Sequence, residues 1–435
     1  MPGVTALPVL SGAVSGTLAG DLVPLLALVA LLVVAFRHPS GPVEAGVALA
    51  AAGCCILTVS STWADAADAV RRLLPVVVFL AAILVVAGAC AELGLFRAIG
   101  ERIGRPGTTG QRFLGLTFVA AVAVTAVLSL DATVVLLSLV VLSAARRAGV
   151  RPGPALSACV RLANSSSLLL PVSNLTTLLA LHSLDLSFAR FALVMAPAWL
   201  AVIAVEYAAH RLFYARDLRS DPRPAAADAQ PVPMPRFPLV VVGLMLLGFG
   251  IASAIGIGAA WGAAWVASVA ALVLTGHAMT TRRGALRQAV HSANLGFATF
   301  VLGLGVVVDA LTRGGLGDLV GRLLPGGQGL VDLLLLALVA TVLANLLNNL
   351  PATLLLVPLV APLGTVAVLA TLVGLNVGSS LTWTGSLANL LWRRTLSRAG
   401  VPPSGRDFHA IALVTVPFGV AVGVVAVWAW SGVVL

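Results

Sequence analysis

The sequence contains no lysine, two tyrosines, four cysteines and few charges of either sign. Charged residues make up 10% of the 435, against roughly 25% in soluble globular proteins. Such a chain is neither a soluble enzyme nor a disordered polymer. All 26 basic residues are arginine and the net charge is +10. They form no dense block, which argues against a nucleic-acid-binding domain. Cys54, Cys55, Cys90 and Cys159 lie in apolar runs without a CxxC spacing, so neither a zinc site nor a disulfide framework is expected. Cys54 and Cys55 would point about 100° apart on a helix and read as packing. The histidines fall in loops or at span ends without a metal-ligand pair, and no cofactor is called for. The first twenty residues lack a basic n-region, so the first apolar run is expected to be a span rather than a cleaved leader.

What the chain has instead is apolar length. Hydrophobic residues make up 60% of it, and a membrane-spanning helix needs about 20. The apolar runs are 22–36, 43–61, 73–93, 113–145, 154–181, 189–209, 237–256, 258–276, 289–311, 329–362, 363–391 and 409–430. Two of them, 113–145 and 329–362, are too long for one span and too short for two spans and a turn. Each carries polar or helix-breaking residues near its middle, Ser129-Leu130-Asp131 in one and Asn348-Asn349-Leu350-Pro351 in the other. A half-depth hairpin that enters and leaves on the same side fits both, provided its non-helical tip is buried in protein or lines a cavity.

The arginines agree. Arg97, Arg102, Arg105 and Arg112 precede 113–145, and Arg146, Arg147 and Arg151 follow it. With both long runs re-entrant and the N-terminus outside, twenty arginines fall in inside loops and five in outside loops, a strong positive-inside bias. The expected fold is therefore all-α and polytopic, with about ten crossings and two hairpins.

The two hairpins also resemble each other. Leu130-Asp131-Ala132-Thr133 aligns with Leu350-Pro351-Ala352-Thr353, and Ser173-Asn174-Leu175 aligns with Gly385-Ser386-Leu387 further on. The reading is two inverted-topology repeats. Residues 1–209 hold hairpin 113–145 and an interrupted span 154–181. Residues 237–435 hold hairpin 329–362 and an interrupted span 363–391. A Pro-, Ala-, Asp- and Arg-rich cytoplasmic linker, 210–236, joins them. Inverted repeats with broken helices are the architecture of secondary transporters, with the site at the repeat interface.

Asp131 is the foremost candidate, an ionisable residue in the middle of an apolar run. It suits a proton or cation, and it could also cap the second hairpin helix. Thr133 follows it. Pro171 removes a backbone donor and disfavours helix at Leu170. An unwound turn there would offer Ser173, Asn174 and Thr177 to a small polar solute. The packing alternative is that Ser and Thr bond back to the helix, above all Ser165 to Ser167, and that Asn packs between helices. The second half supplies Asn345, Asn348 and Asn349 before Pro351, which suits a first helical turn, and Thr382, Thr384, Gly385, Ser386 and Asn389 in the last interrupted span. Of the adjacent pair, Asn349 is nearer the tip and is expected to face inward. Arg161 lies within a span, where it either snorkels or pairs with an acid. Glu92, Glu206 and Asp309 lie near span ends, where solvation accounts for them.

At four places the chain resembles the arsenite/antimonite efflux permease family, of the ion-transporter superfamily that includes the divalent anion:sodium symporters. They are Leu130-Asp131-Ala132-Thr133, Val172-Ser173-Asn174-Leu175, Leu346-Leu347-Asn348-Asn349-Leu350-Pro351 and Thr384-Gly385-Ser386-Leu387-Ala388-Asn389-Leu390-Leu391-Trp392. The family pattern at the first tip is Asn-Asp-Gly, of which the carboxylate alone is kept here. The resemblance implies a multi-pass permease of the bacterial cytoplasmic membrane that exports trivalent arsenic or antimony hydroxide in exchange for protons, with Asp131 carrying the proton. A homodimer is compatible with it. The alternative is a sodium- or proton-coupled transporter of a dicarboxylate-like or inorganic anion from the same superfamily. A cationic side chain aimed at the substrate would favour it, and Arg161 is its only candidate. A membrane enzyme would need a catalytic pair or metal ligands within the spans, and the sequence offers none.

Overall fold

The computed structural model describes residues 10–37, 41–58, 60–181, 183–184, 186–219, 232–257, 259–281 and 284–435. Part of the expected linker, 220–231, and three of the expected inside arginines, Arg223, Arg282 and Arg283, lie outside the described residues. Among the described residues every regular element is helical. Eight helical segments are long and apolar enough to cross a membrane. Several helices turn leucines and tryptophans outward, such as Leu244, Leu247, Trp265 and Leu272, a face suited to lipid rather than water.

Two compact units are present. The first comprises 1–74 and 296–324. It contains α1 (Leu10–Arg37), α2 (Gly41–Leu57), the start of α3 (Trp63–Glu92), α14 (Leu295–Arg313) and α15 (Gly315–Leu323). Small residues let α14 approach α2 closely: a Cβ added at Gly303 would come within 2.6 Å of the Ala48 carbonyl oxygen. Packing of this kind holds helices together where lipid removes most of the hydrophobic drive. Asp309 is not simply solvated. It pairs with Arg72 at 2.5 Å and Arg313 at 2.9 Å, and Arg313 also reaches Asp65.

The second unit comprises 75–295 and 325–435. Its helices are α4 (Leu95–Ile103), α5 (Gly110–Val127), α6 (Ser138–Ala148), α7 (Gly153–Ser165), α8 (Leu175–Leu181), α9 (Phe188–Phe213), α10 (Ala215–Leu218), α11 (Arg236–Ala254), α12 (Ala259–Thr281), α13 (Ala285–Ser292), α16 (Leu330–Leu347), α17 (Asn349–Val360), α18 (Thr365–Asn376), α19 (Leu387–Arg398) and α20 (Gly405–Val434). One order occurs twice. A hairpin (α5 with α6, then α16 with α17) leads to a broken helix (α7–α8, then α18–α19) and a long helix (α9, then α20). The arms are fuller than half-depth. At 18 residues each, α5 and α16 are about 27 Å long. Equivalent parts pack crosswise, α8 on α17 and α19 on the second arm of the first hairpin, and α9 lies along α20.

Candidate substrate site

Each hairpin turns on a non-glycine residue with positive φ, Ser129 at 153° and Asn348 at 78°. Such conformations cost energy and concentrate at functional sites. In the first hairpin the cap is Ser129, whose Oγ accepts the Ala132 N–H at 3.3 Å. Asp131 makes no cap bond, which corrects the capping reading. The Ser129 hydroxyl one residue before the helix already occupies that role. Half-buried Asp131 sits in the first turn, and the backbone then widens into a π-helical stretch, Ala132–Leu137. π-Turns of this kind recur at functional sites. Thr133 is fully buried and shares a 2.7 Å hydrogen bond with Thr125 on the opposite arm, so it ties the two arms together.

The second tip is laced to the second break. Asn348 caps α17 by accepting the Leu350 N–H, and its amide donates to the Thr384 carbonyl at 3.0 Å. The Asn349 N–H donates to the Gly385 carbonyl at 2.9 Å. Asn345 Oδ1 accepts both the N–H and the hydroxyl of Thr382, while its amide donates to the Thr341 and Gly378 carbonyls. Gly385 permits this closeness, because a Cβ there would collide with the Ser379 carbonyl and Asn345 Oδ1. Ser386 caps α19 through the Ala388 N–H. Thr384 is exposed at this tip.

The first break is held in a matching way. Ser173 donates to the Ala126 carbonyl of the first hairpin at 2.8 Å. Asn174 Oδ1 accepts the Thr176 N–H, and its amide donates to Ser167 Oγ. Ser166 and Ser167 bond back to the helix, to the Leu162 and Asn164 carbonyls, as the packing alternative expected.

The halves meet through asparagines that lie 212 positions apart. Asn164 donates to Asn389 Oδ1 at 2.9 Å, and Asn376 donates to Thr177 Oγ1 at 3.3 Å. Asn164 matches Asn376 at that offset, and Thr177 matches Asn389. Ser167 and Ser379 follow the same rule, each bonding to the carbonyl of its own half's asparagine. Asn376 Oδ1 also accepts from Asn174 at 2.9 Å and Thr176 at 2.7 Å. Asn376 is the residue the sequence reading missed. It lies in an apolar run without a breaker beside it, and the 212 offset from Asn164 was its only signal. The structure therefore gathers Ser173, Asn174 and Thr177 with Asn376, and Asn348, Asn349, Thr384, Gly385 and Ser386 with Asn345. Asp131 and Thr133 lie at the first hairpin.

Arg161 reaches the second break, between α18 and α19, only through the backbone of Ser380. It is fully buried and pairs with Glu206 at 2.9 Å. It also donates to the Ser380 carbonyl at 2.7 Å and to the Thr415 hydroxyl. Glu206 is equally buried, a correction to its solvated reading. Its face of α9 turns toward α7 and α20 instead of the membrane surface.

Together, broken helices, hairpins and a lipid-facing exterior define a polytopic membrane transporter of a small solute. A family profile described as Citrate transporter (CitMHS) matches residues 21–372, and the chain belongs to that family. Curated relatives that it resembles are named arsenical pump membrane proteins. It is 28% identical to the arsenical pump membrane protein of Yersinia enterocolitica over 369 residues, covering 77% of this chain and 82% of the relative. The same identity and coverage relate it to the arsenical pump membrane protein of Escherichia coli K12. The YdaH transporter of Alcanivorax borkumensis, whose crystal structure is described as having an unusual topology, shares the fold with a TM-score of 0.56 and 16% identity, over 85% of this chain and 87% of that one. The protein is a multi-pass protein of the bacterial inner membrane.

Proposed function

We propose that the chain is a secondary exporter of trivalent arsenic or antimony hydroxide, driven by inward proton flow, with Asp131 as the proton carrier. One observation carries the choice of solute. The residues gathered at the breaks are neutral amides and hydroxyls, while Arg161, the only arginine in the first broken span, is engaged by the buried Glu206 carboxylate and by the Ser380 carbonyl of the second break. An uncharged polyhydroxy solute can exchange its hydrogen bonds to water for bonds to Asn, Ser and Thr. A carboxylate needs a cation or several N–H donors to repay its desolvation. The relatives named arsenical pump membrane proteins support the same reading. Residues 1–209 and 237–435 act in it as inverted repeats joined by the cytoplasmic linker 210–236, with the tips and breaks forming the site between them.

The family description, Citrate transporter, favours a second reading, a sodium- or proton-coupled organic anion carrier. Expression in cells stripped of their own arsenite exporters separates the two. The expected result is lower accumulated arsenite, abolished by Asp131→Asn. Unchanged arsenite retention together with new citrate or dicarboxylate uptake would establish the second reading instead.

A further inference from the structure

A long groove runs along the second unit between α5 and α9, with a volume of about 1170 Å³. Its walls are apolar, formed by Leu116, Val119, Val122, Leu200 and Ile203 among others. One end is not. There Arg112, from the first turn of α5, and Arg211, from the last turn of α9, come together with Gln111 and Tyr207. Arg211 donates to the Tyr207 hydroxyl at 3.2 Å and Gln111 Oε1 at 3.4 Å. Among the described residues neither arginine forms an ion pair with a carboxylate. From Arg112 to Ala126 the groove follows roughly 20 Å of helix, somewhat more than the ~15 Å depth of one leaflet's hydrocarbon.

We infer that this groove is a binding site for an anionic phospholipid, its phosphate held between Arg112 and Arg211 and an acyl chain lying along α5 and α9. The charge complementarity selects the class. Two guanidiniums that have no acidic partner among the described residues, at the mouth of an apolar trough, match a phosphate attached to a hydrocarbon chain, and basic pockets between membrane helices take such headgroups. The far end of the groove touches the first break. Ala126, whose carbonyl accepts Ser173, and Leu169 both line it. Trp199 also lines it and donates from its indole to the Ser166 carbonyl at 3.2 Å. A chain seated there packs against the back of the unwound turn and supports its shape. This inference is independent of which solute is carried.

The test is retention of lipid by the full-length protein. It is purified from bilayers of phosphatidylcholine with or without phosphatidylglycerol, washed in detergent and read by native mass spectrometry. Wild type should keep phosphatidylglycerol in preference to phosphatidylcholine. The double variant Arg112→Gln/Arg211→Gln should hold it about 30-fold more weakly, on the order of fivefold per arginine. Ala123→Trp, which fills the groove from an exposed position and leaves both charges in place, should lose it as well. Arg146→Gln, at an exposed arginine away from the groove, should retain it. Equal retention of phosphatidylcholine, equal loss in Arg146→Gln, or full retention in Ala123→Trp would each overturn the proposal. So would a dimer in wild type that Ala123→Trp splits, since the occupant would then be a second copy of the chain.

Discussion

Asn376 reaches more partners across the two halves than any other asparagine described above. It accepts from Asn174 and Thr176 and donates to Thr177, all within buried surroundings. Replacing it with leucine keeps the branched shape but strands those donors, and each buried polar group left without a partner costs about 1–3 kcal/mol. Asn376→Leu should therefore lower the unfolding midpoint in detergent and reduce efflux, while Asn376→Asp, which keeps the acceptor, should lose less stability. The Arg161–Glu206 pair follows a different logic. Removing one partner leaves an uncompensated buried charge, at a cost of about 3–5 kcal/mol. Arg161→Met and Glu206→Leu should each destabilise strongly, and the double variant less than either single one. A thermal-unfolding cycle measures this, and additive losses would show that the two side chains do not act as a pair.

At the scale of elements, close backbone approaches make sharp predictions. Gly385 lies where the second break meets α16, and any side chain there collides with the Ser379 carbonyl. Gly385→Ala should reduce the maximal transport rate with little loss of membrane insertion, measured by efflux against surface-labelled protein. Gly303 on α14 faces the Ala48 carbonyl of α2. Overpacking such contacts costs roughly 1–3 kcal/mol, so Gly303→Val should lower thermal stability. The breaks were legible in the sequence because polar residues and prolines interrupting an apolar run leave few alternatives: Pro171 with Ser173 and Asn174, Asn348 and Asn349 with Pro351. Their partners were less legible. Of eight asparagines in the chain, Asn164, Asn174, Asn376 and Asn389 form the contacts between halves. Which of them meet depends on how α8 lies on α17 and α19 on the first hairpin, and no local pattern encodes that.

For the whole molecule, the arginine distribution predicts orientation. Single cysteines placed at Arg112, Arg147 and Arg236, in a chain whose four native cysteines are replaced by alanine, should all label from the cytoplasmic face. Labelling at 112 and 147 from opposite faces would show that the first hairpin crosses the membrane. By itself the sequence determined the all-helical membrane class, the two hairpins, the two interruptions and the place of one carboxylate, Asp131, in the middle of an apolar run. Each follows from the cost of polar groups and unpaired backbone in an apolar solvent, a cost set by the residues themselves. Only the tertiary structure decided where Arg161 goes. In the sequence it stood as the one cation that could meet an anionic substrate, with Glu206 an acid near a span end. Folding buries both and joins them, because a charge removed from water must find its counter-charge. That counter-charge, Glu206, lies 45 residues away in the chain and on a neighbouring helix in space.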